Sequence, residues 1–167
     1  MLAPPDFPRR LALLVMLAGI LALGTAFLAQ FVGGLAPCEL CLWQRYPYGV
    51  AIGLAVLSLL FAPSPGAARI FLALAGLAIL VSAGIAAFHV GVEQHWWAGL
   101  SACSGTIDLK GSAADLAKQL METPVVRCDA VPWSLFGISI AGYNFIFASV
   151  VGLLTFWAAA RTGRNRG

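Results

Sequence analysis

An all-α bundle of four transmembrane helices with two outward loops is the fold this sequence predicts, and three observations predict it. Hydrophobic residues make up 60% of the 167 and charged residues only 10%, against about 25% charged in ordinary soluble domains. So little polar surface cannot cover a water-soluble globule, and a bilayer is the natural solvent. Four apolar runs, Leu11–Val32, Tyr46–Ala62, Ile70–Val92 and Trp133–Ala160, hold no Lys, Arg, Asp or Glu. A helix needs roughly 20 apolar residues to cross about 30 Å of hydrocarbon. The basic residues are also unevenly placed, which orients the bundle.

The first helix is expected over about 11–32. Arg9 and Arg10 precede it as they would a signal peptide, but the run exceeds the roughly 7–15 apolar residues of a signal core. Gly33-Gly34-Leu35-Ala36-Pro37 then leads straight on without a small-residue cleavage site. The second helix, about 42–62, is the shortest and borrows residues from Cys41 onward. Pro63-Ser64-Pro65-Gly66 is a tight turn, and the third helix follows over about 69–92. The fourth is expected over about 133–160. Residues 1–167 thus form a single membrane domain, with outer loops at about 33–45 and 93–132. In the long loop Ser112–Met121 reads as a short amphipathic helix, capped by Ser112 with Asp115 three residues on. Its Ala113, Leu116 and Leu120 face either packs on the helix ends or lies on lipid. Trp96, Trp97 and Trp133 flank the third and fourth helices as interfacial anchors.

With four spans both termini share a side. That side carries Arg9, Arg10, Arg69, Arg161, Arg164 and Arg166 against Asp6 alone. The other carries Arg45, Lys110, Lys118 and Arg127 against Glu39, Glu93, Asp108, Asp115, Glu122 and Asp129. The positive-inside rule puts the termini in the cytoplasm. Both loops then face the outer compartment, where disulfides persist. No cysteine entered that deduction, yet all four cysteines, Cys38, Cys41, Cys103 and Cys128, fall in those two loops.

Cys38 and Cys41 are three apart, so both thiols lie on one face where the second helix begins. Helix N-termini and neighbouring cations stabilise thiolates. Arg45 lies four residues beyond Cys41, on the same face, and a permanent charge at the membrane boundary signals function; its alternative is to snorkel to lipid headgroups. The C-x-x-C spacing alone also suits haem attachment or half a zinc site. Haem attachment needs a histidine where Leu42 stands, and Cys103 and Cys128 are too far apart in sequence for a clustered zinc pair, so no metal is expected. His89 falls near the depth of Arg45 at the end of the third helix, while His95 lies further out.

The run Cys38-Glu39-Leu40-Cys41-Leu42-Trp43-Gln44-Arg45 resembles the C-x-L-C-x-x-Q-R signature of the DsbB family, the disulfide bond formation proteins of bacterial inner membranes. The resemblance extends over the four spans, the paired loops and the run Arg127-Cys128-Asp129 with Trp133, Gly137, Ser139 and Asn144. It implies a thiol:quinone oxidoreductase that reoxidises a periplasmic DsbA-like thiol oxidase and passes the electrons to a membrane quinone, ubiquinone or menaquinone. It implies Cys103 as the sulfur attacked by the partner, Cys128 as its disulfide mate and then the residue that engages Cys38, and Cys41 as the thiolate facing the quinone. Arg45 and His89 would be the quinone-binding residues, and Cys38–Cys41 the resting disulfide. Partners are then the thiol oxidase, the quinone pool and lipid, with no nucleic acid. Two alternatives stand beside this: a relative serving one dedicated partner, and a non-catalytic four-helix membrane protein whose two disulfides brace its loops.

Overall fold

The computed structural model describes residues 6–100, 112 and 126–164. Among them are four helices, α1 (Phe7–Phe31), α2 (Glu39–Leu60), α3 (Pro65–Glu93) and α4 (Ile140–Arg164), with a two-stranded hairpin, β1 (Ser134–Leu135) and β2 (Ile138–Ser139), just before α4. The amphipathic helix expected over 112–121 lies outside the described residues except for Ser112.

Each terminus has a local cause. Pro8 sits in the first turn of α1, where its missing N–H costs nothing. The helix stops at Gly33 and Gly34; Gly34 takes a φ of +67°, which only glycine adopts freely. Cys38 caps α2, its sulfur accepting from the Cys41 N–H at 3.3 Å. The third helix begins at Pro65, earlier than the expected 69, because proline is pre-set for a first helical turn. The Ser58 hydroxyl ties the turn by donating to the Ala68 carbonyl at 3.0 Å.

The fourth helix departs most from expectation. Residues 134–139 form the hairpin, and the helix starts at Ile140 rather than 133. Ser134 pairs with Ser139 and Leu135 with Ile138, leaving Phe136-Gly137 as the two-residue turn. Both turn residues have positive φ, 50° and 77°, the geometry whose twist suits tight hairpins. An uncharged run does not distinguish strand from helix, so hydropathy could not register this turn.

The helices meet through small residues. A Cβ on Gly76 of α3 would lie 2.8 Å from the Phe156 nitrogen of α4, and one on Gly152 would lie 3.1 Å from the Gly76 carbonyl. Backbones therefore touch at this crossing, as in membrane bundles where van der Waals contact replaces the hydrophobic effect. Ala12, Val15, Ala51, Ala55, Leu72, Ala75, Ile79 and Ala148 fill the core beside it. Among the described residues, α1, α3 and α4 are long and apolar enough to cross a membrane. The fourth helix of the bundle, α2, is not in that class, because Gln44, Arg45, Tyr46, Pro47 and Tyr48 occupy its first half. That polar stretch builds the site.

Candidate active site

Cys38 and Cys41 are free thiols with sulfurs 2.8 Å apart, the Cys38 thiol donating to the Cys41 sulfur. Cys38 is buried and Cys41 half-buried. Both precede the stretch expected to span the bilayer. The shared hydrogen bond, followed by burial, pushes the Cys38 pKa far above the ordinary thiol value. The same bond holds the Cys41 pKa below it, with help from the Cys41 N-terminal position and the Arg45 charge. One proton thus stays on Cys38 while Cys41 is the sulfur poised to be a thiolate.

Arg45 turns toward α1. Its guanidinium donates to Gln30 Oε1 at 2.6 Å and to the Ala26 carbonyl at 3.5 Å, and lies over the Phe27 ring at 5.1 Å. Trp43 leaves this face and donates to Glu39 Oε1 at 2.6 Å. On the flank of α2 that carries Leu40 and Trp43, an apolar cavity of about 300 Å³ is lined by Leu40, Trp43, Gly84, Ile85, Phe88 and Leu100.

His89 of α3 is buried against the cysteine pair. Its Nε2 is 3.6 Å from Cys38 Sγ and 3.9 Å from Glu93 Oε1. Its Nδ1 meets the Gln44 amide nitrogen at 2.9 Å. Glu93 is anchored in turn by the Ser139 hydroxyl, which donates to Oε2 at 2.5 Å and accepts from the Gly142 N–H at 3.1 Å. The hairpin that displaced the start of α4 therefore delivers Ser139 to this carboxylate. Trp97 folds back over α3, donating to the Phe88 carbonyl at 3.0 Å and stacking on the Phe88 ring. Its ring fills the space at Gly91, where a Cβ would come within 1.9 Å of it. His95 and Trp96 are exposed.

Cys128 is fully buried and disulfide-bonded. It packs in one apolar cluster with Cys38, Leu40 and Val92. Arg127 and Asp129 on either side of it form an exposed ion pair, the Arg127 Nε donating to Asp129 Oδ1 at 2.8 Å. Cys103 lies outside the described residues. The fold thus brings together Cys38, Cys41, His89 and Cys128, and sets Arg45 on the α1 side of the pair.

Cys38, Cys41 and His89 place three potential metal-ligand atoms within 4.8 Å of one another, a donor set that suits zinc. The hydrogen bonding opposes it. A ligating histidine presents a bare nitrogen to the metal and donates from the other, whereas here the Gln44 amide nitrogen, itself a donor, faces Nδ1 at 2.9 Å.

Gln44, Ser82, Tyr48 and Glu93 are site residues that motif and spacing did not single out by role. For Tyr48 and Ser82, polar side chains inside apolar runs were the available signal, since such residues face the bundle interior.

A family model described as disulfide bond formation protein DsbB matches residues 8–158. The chain is 36% identical over 164 residues to disulfide bond formation protein B of Verminephrobacter eiseniae, covering 95% of this chain and 89% of that protein. It is 30% identical over 167 residues to the protein of the same name from Polaromonas naphthalenivorans, with 96% of each covered. The Acinetobacter baumannii protein of that name is 28% identical over 151 residues, with 89% of this chain and 88% of that protein covered. No solved structure matches the chain.

Proposed function

The chain belongs to the DsbB family of membrane proteins that form disulfide bonds, and from that premise we propose that it is a thiol:quinone oxidoreductase. It oxidises a DsbA-like periplasmic thiol oxidase and delivers the electrons to a membrane quinone, ubiquinone or menaquinone. It would sit in the bacterial inner membrane with both termini in the cytoplasm and the cysteine loops in the periplasm.

The observation that carries this reading is the Cys38–Cys41 pair. Two free sulfurs lie 2.8 Å apart at the start of α2, where Cys38 is the cap, with the disulfide-bonded Cys128 in the same apolar cluster. Thiolate attack on an accessible disulfide sulfur is the elementary step of exchange. A partner thiolate attacks Cys103, and Cys128 leaves as a thiolate. Cys128 then attacks Cys38 of a closed Cys38–Cys41 disulfide, and Cys41 leaves. Resolution of the two mixed disulfides, by the partner's second thiol and by Cys103, gives an oxidised partner and the Cys38–Cys41 dithiol. A quinone supplies the acceptor for the two electrons and two protons released when that dithiol closes again.

The residues present fit such an acceptor. Arg45 lies against α1, where Phe27 and Phe31 are exposed, and its charge reaches Cys41. An apolar, bilayer-accessible surface beside a fixed cation suits a lipid-soluble ring with carbonyl oxygens. Arg45 would hold the Cys41 thiolate and stabilise negative charge developing on the acceptor oxygen. His89 would act from the Cys38 side.

The test is a reconstitution. Purified protein with a ubiquinone or menaquinone analogue and a reduced thioredoxin-fold oxidase should consume thiols and reduce quinone in equal amounts. Cys41→Ser and Cys103→Ser should each abolish turnover. Undiminished quinone reduction by Cys41→Ser would sink the assignment.

A further inference from the structure

Three helices meet in a chain of buried hydrogen bonds that ends at Cys38. The Tyr48 hydroxyl donates to Asn144 Oδ1 at 2.6 Å. Asn144 Nδ2 donates to Gln44 Oε1 at 2.7 Å. The Gln44 amide nitrogen donates to the Leu40 carbonyl at 3.0 Å and meets His89 Nδ1 at 2.9 Å. Ser82 joins from α3, donating to the Gln44 main-chain carbonyl at 2.9 Å.

This chain has one consistent direction. A main-chain carbonyl only accepts, so the Leu40 oxygen requires the amide nitrogen of Gln44 on that side. The Asn144 amide nitrogen donating to Gln44 Oε1 agrees with that orientation. The Gln44 N–H is therefore aimed at His89 Nδ1, which must accept, and a neutral imidazole that accepts at Nδ1 carries its proton on Nε2. Around Nε2 stand Cys38 Sγ at 3.6 Å and Glu93 Oε1 at 3.9 Å, and the ring also hydrogen-bonds the main chain of Cys128. All of these are acceptors.

We propose that Asn144 and Gln44 are positioning residues that lock His89 as the Nε2–H tautomer, so that His89 donates to the sulfur of Cys38 instead of serving as its base. This deepens the thiol:quinone reading and rests on it for its catalytic meaning. Cys38 is the sulfur that must carry negative charge when it re-closes on Cys41, and a fixed N–H aimed at it stabilises that charge without reorganisation.

Two near-isosteric variants test the lock. Asn144→Asp removes the donor to Gln44 Oε1. Gln44→Glu turns the group facing Nδ1 into an acceptor, which draws the ring proton to Nδ1. Protein labelled with ¹⁵N-histidine, in nanodiscs and with His95→Gln to isolate His89, should show protonated Nε2 and bare Nδ1. Gln44→Glu should exchange the two signals, and Asn144→Asp should mix them. In the reduced protein, alkylation of Cys38 should slow about tenfold in Gln44→Glu, the order expected for losing one hydrogen bond to a charged group. A wild-type proton on Nδ1, or tautomer signals unmoved by both variants, would overturn the proposal. Quinone turnover is measured alongside. An Nε2–H signature without wild-type turnover would fail the oxidoreductase reading while the lock stands, and turnover with the proton on Nδ1 would do the reverse.

Discussion

The two ends of this bundle are built on opposite principles. At the crossing of α3 and α4 around Gly76 and Gly152, backbones touch, and Thr155 is the buried polar side chain nearby in sequence. At the cysteine end the same helices are held apart by side chains and enclose Gln44, Ser82, His89 and Glu93. Every buried side-chain nitrogen and oxygen among the described residues has a partner. Burying a polar group costs free energy unless it finds a hydrogen-bond partner, which is why each of these does. The difference teaches that one end is built on close backbone approach and the other on a satisfied set of polar side chains around the sulfurs.

Four measurements would break or sharpen that contrast. The largest effect belongs to the glycine end. Gly76→Leu drives a side chain into the α4 backbone, and overpacking of this kind costs about 1–3 kcal/mol or more. It should lower the thermal unfolding midpoint and take activity down only with the folded fraction. Normal stability in that variant would mean that the crossing is not the structural anchor. Next comes Arg45→Met, which should raise the apparent KM for quinone about tenfold, the scale of one lost charge-assisted hydrogen bond. The kcat should move less, and unchanged quinone kinetics would reduce Arg45 to a tether on Gln30 and Phe27.

The third concerns pH. Cys41 is held below the ordinary thiol pKa chiefly by the Cys38 hydrogen bond, so its thiolate persists as pH falls and its alkylation should continue into more acidic solution than for an ordinary thiol. Cys38→Ala removes the largest cause and should move the alkylation profile of Cys41 toward alkaline pH. A profile that stays in place would credit Arg45 and the helix terminus instead. The smallest effect is expected from Gly84→Phe. A Cβ at Gly84 meets open space, so the ring can enter the cavity between α2 and α3. Quinone kinetics should not change if the acceptor binds on the Arg45 flank; a rise in KM would relocate it to the cavity.

Much of this was legible in the residues. The apolar runs, their order and the short Pro63–Gly66 turn follow from hydropathy and proline geometry, which are local properties. The cysteine pair could be placed at a helix start because Pro37 and the polar gap mark one. The beginning of α4 was not legible, because Phe136-Gly137 turns a hairpin inside an uncharged run and only backbone angles reveal it. Arg45 was legible as a cation one turn beyond Cys41, but its engagement with Gln30 and Ala26 depends on where α1 lies. Glu93, whose role was unreadable in the sequence, is tied to Ser139 from 46 residues away.

The sequence by itself determined the solvent and the order of the four apolar runs that become the described helices. These depend on composition and on the periodicity of a chain that must satisfy its own backbone in lipid. Only the tertiary structure decided the direction of the hydrogen bonds around His89. That direction comes from Leu40, Gln44, Asn144 and Tyr48 meeting across α2 and α4, and a donor or acceptor role exists only once a partner has been brought to it.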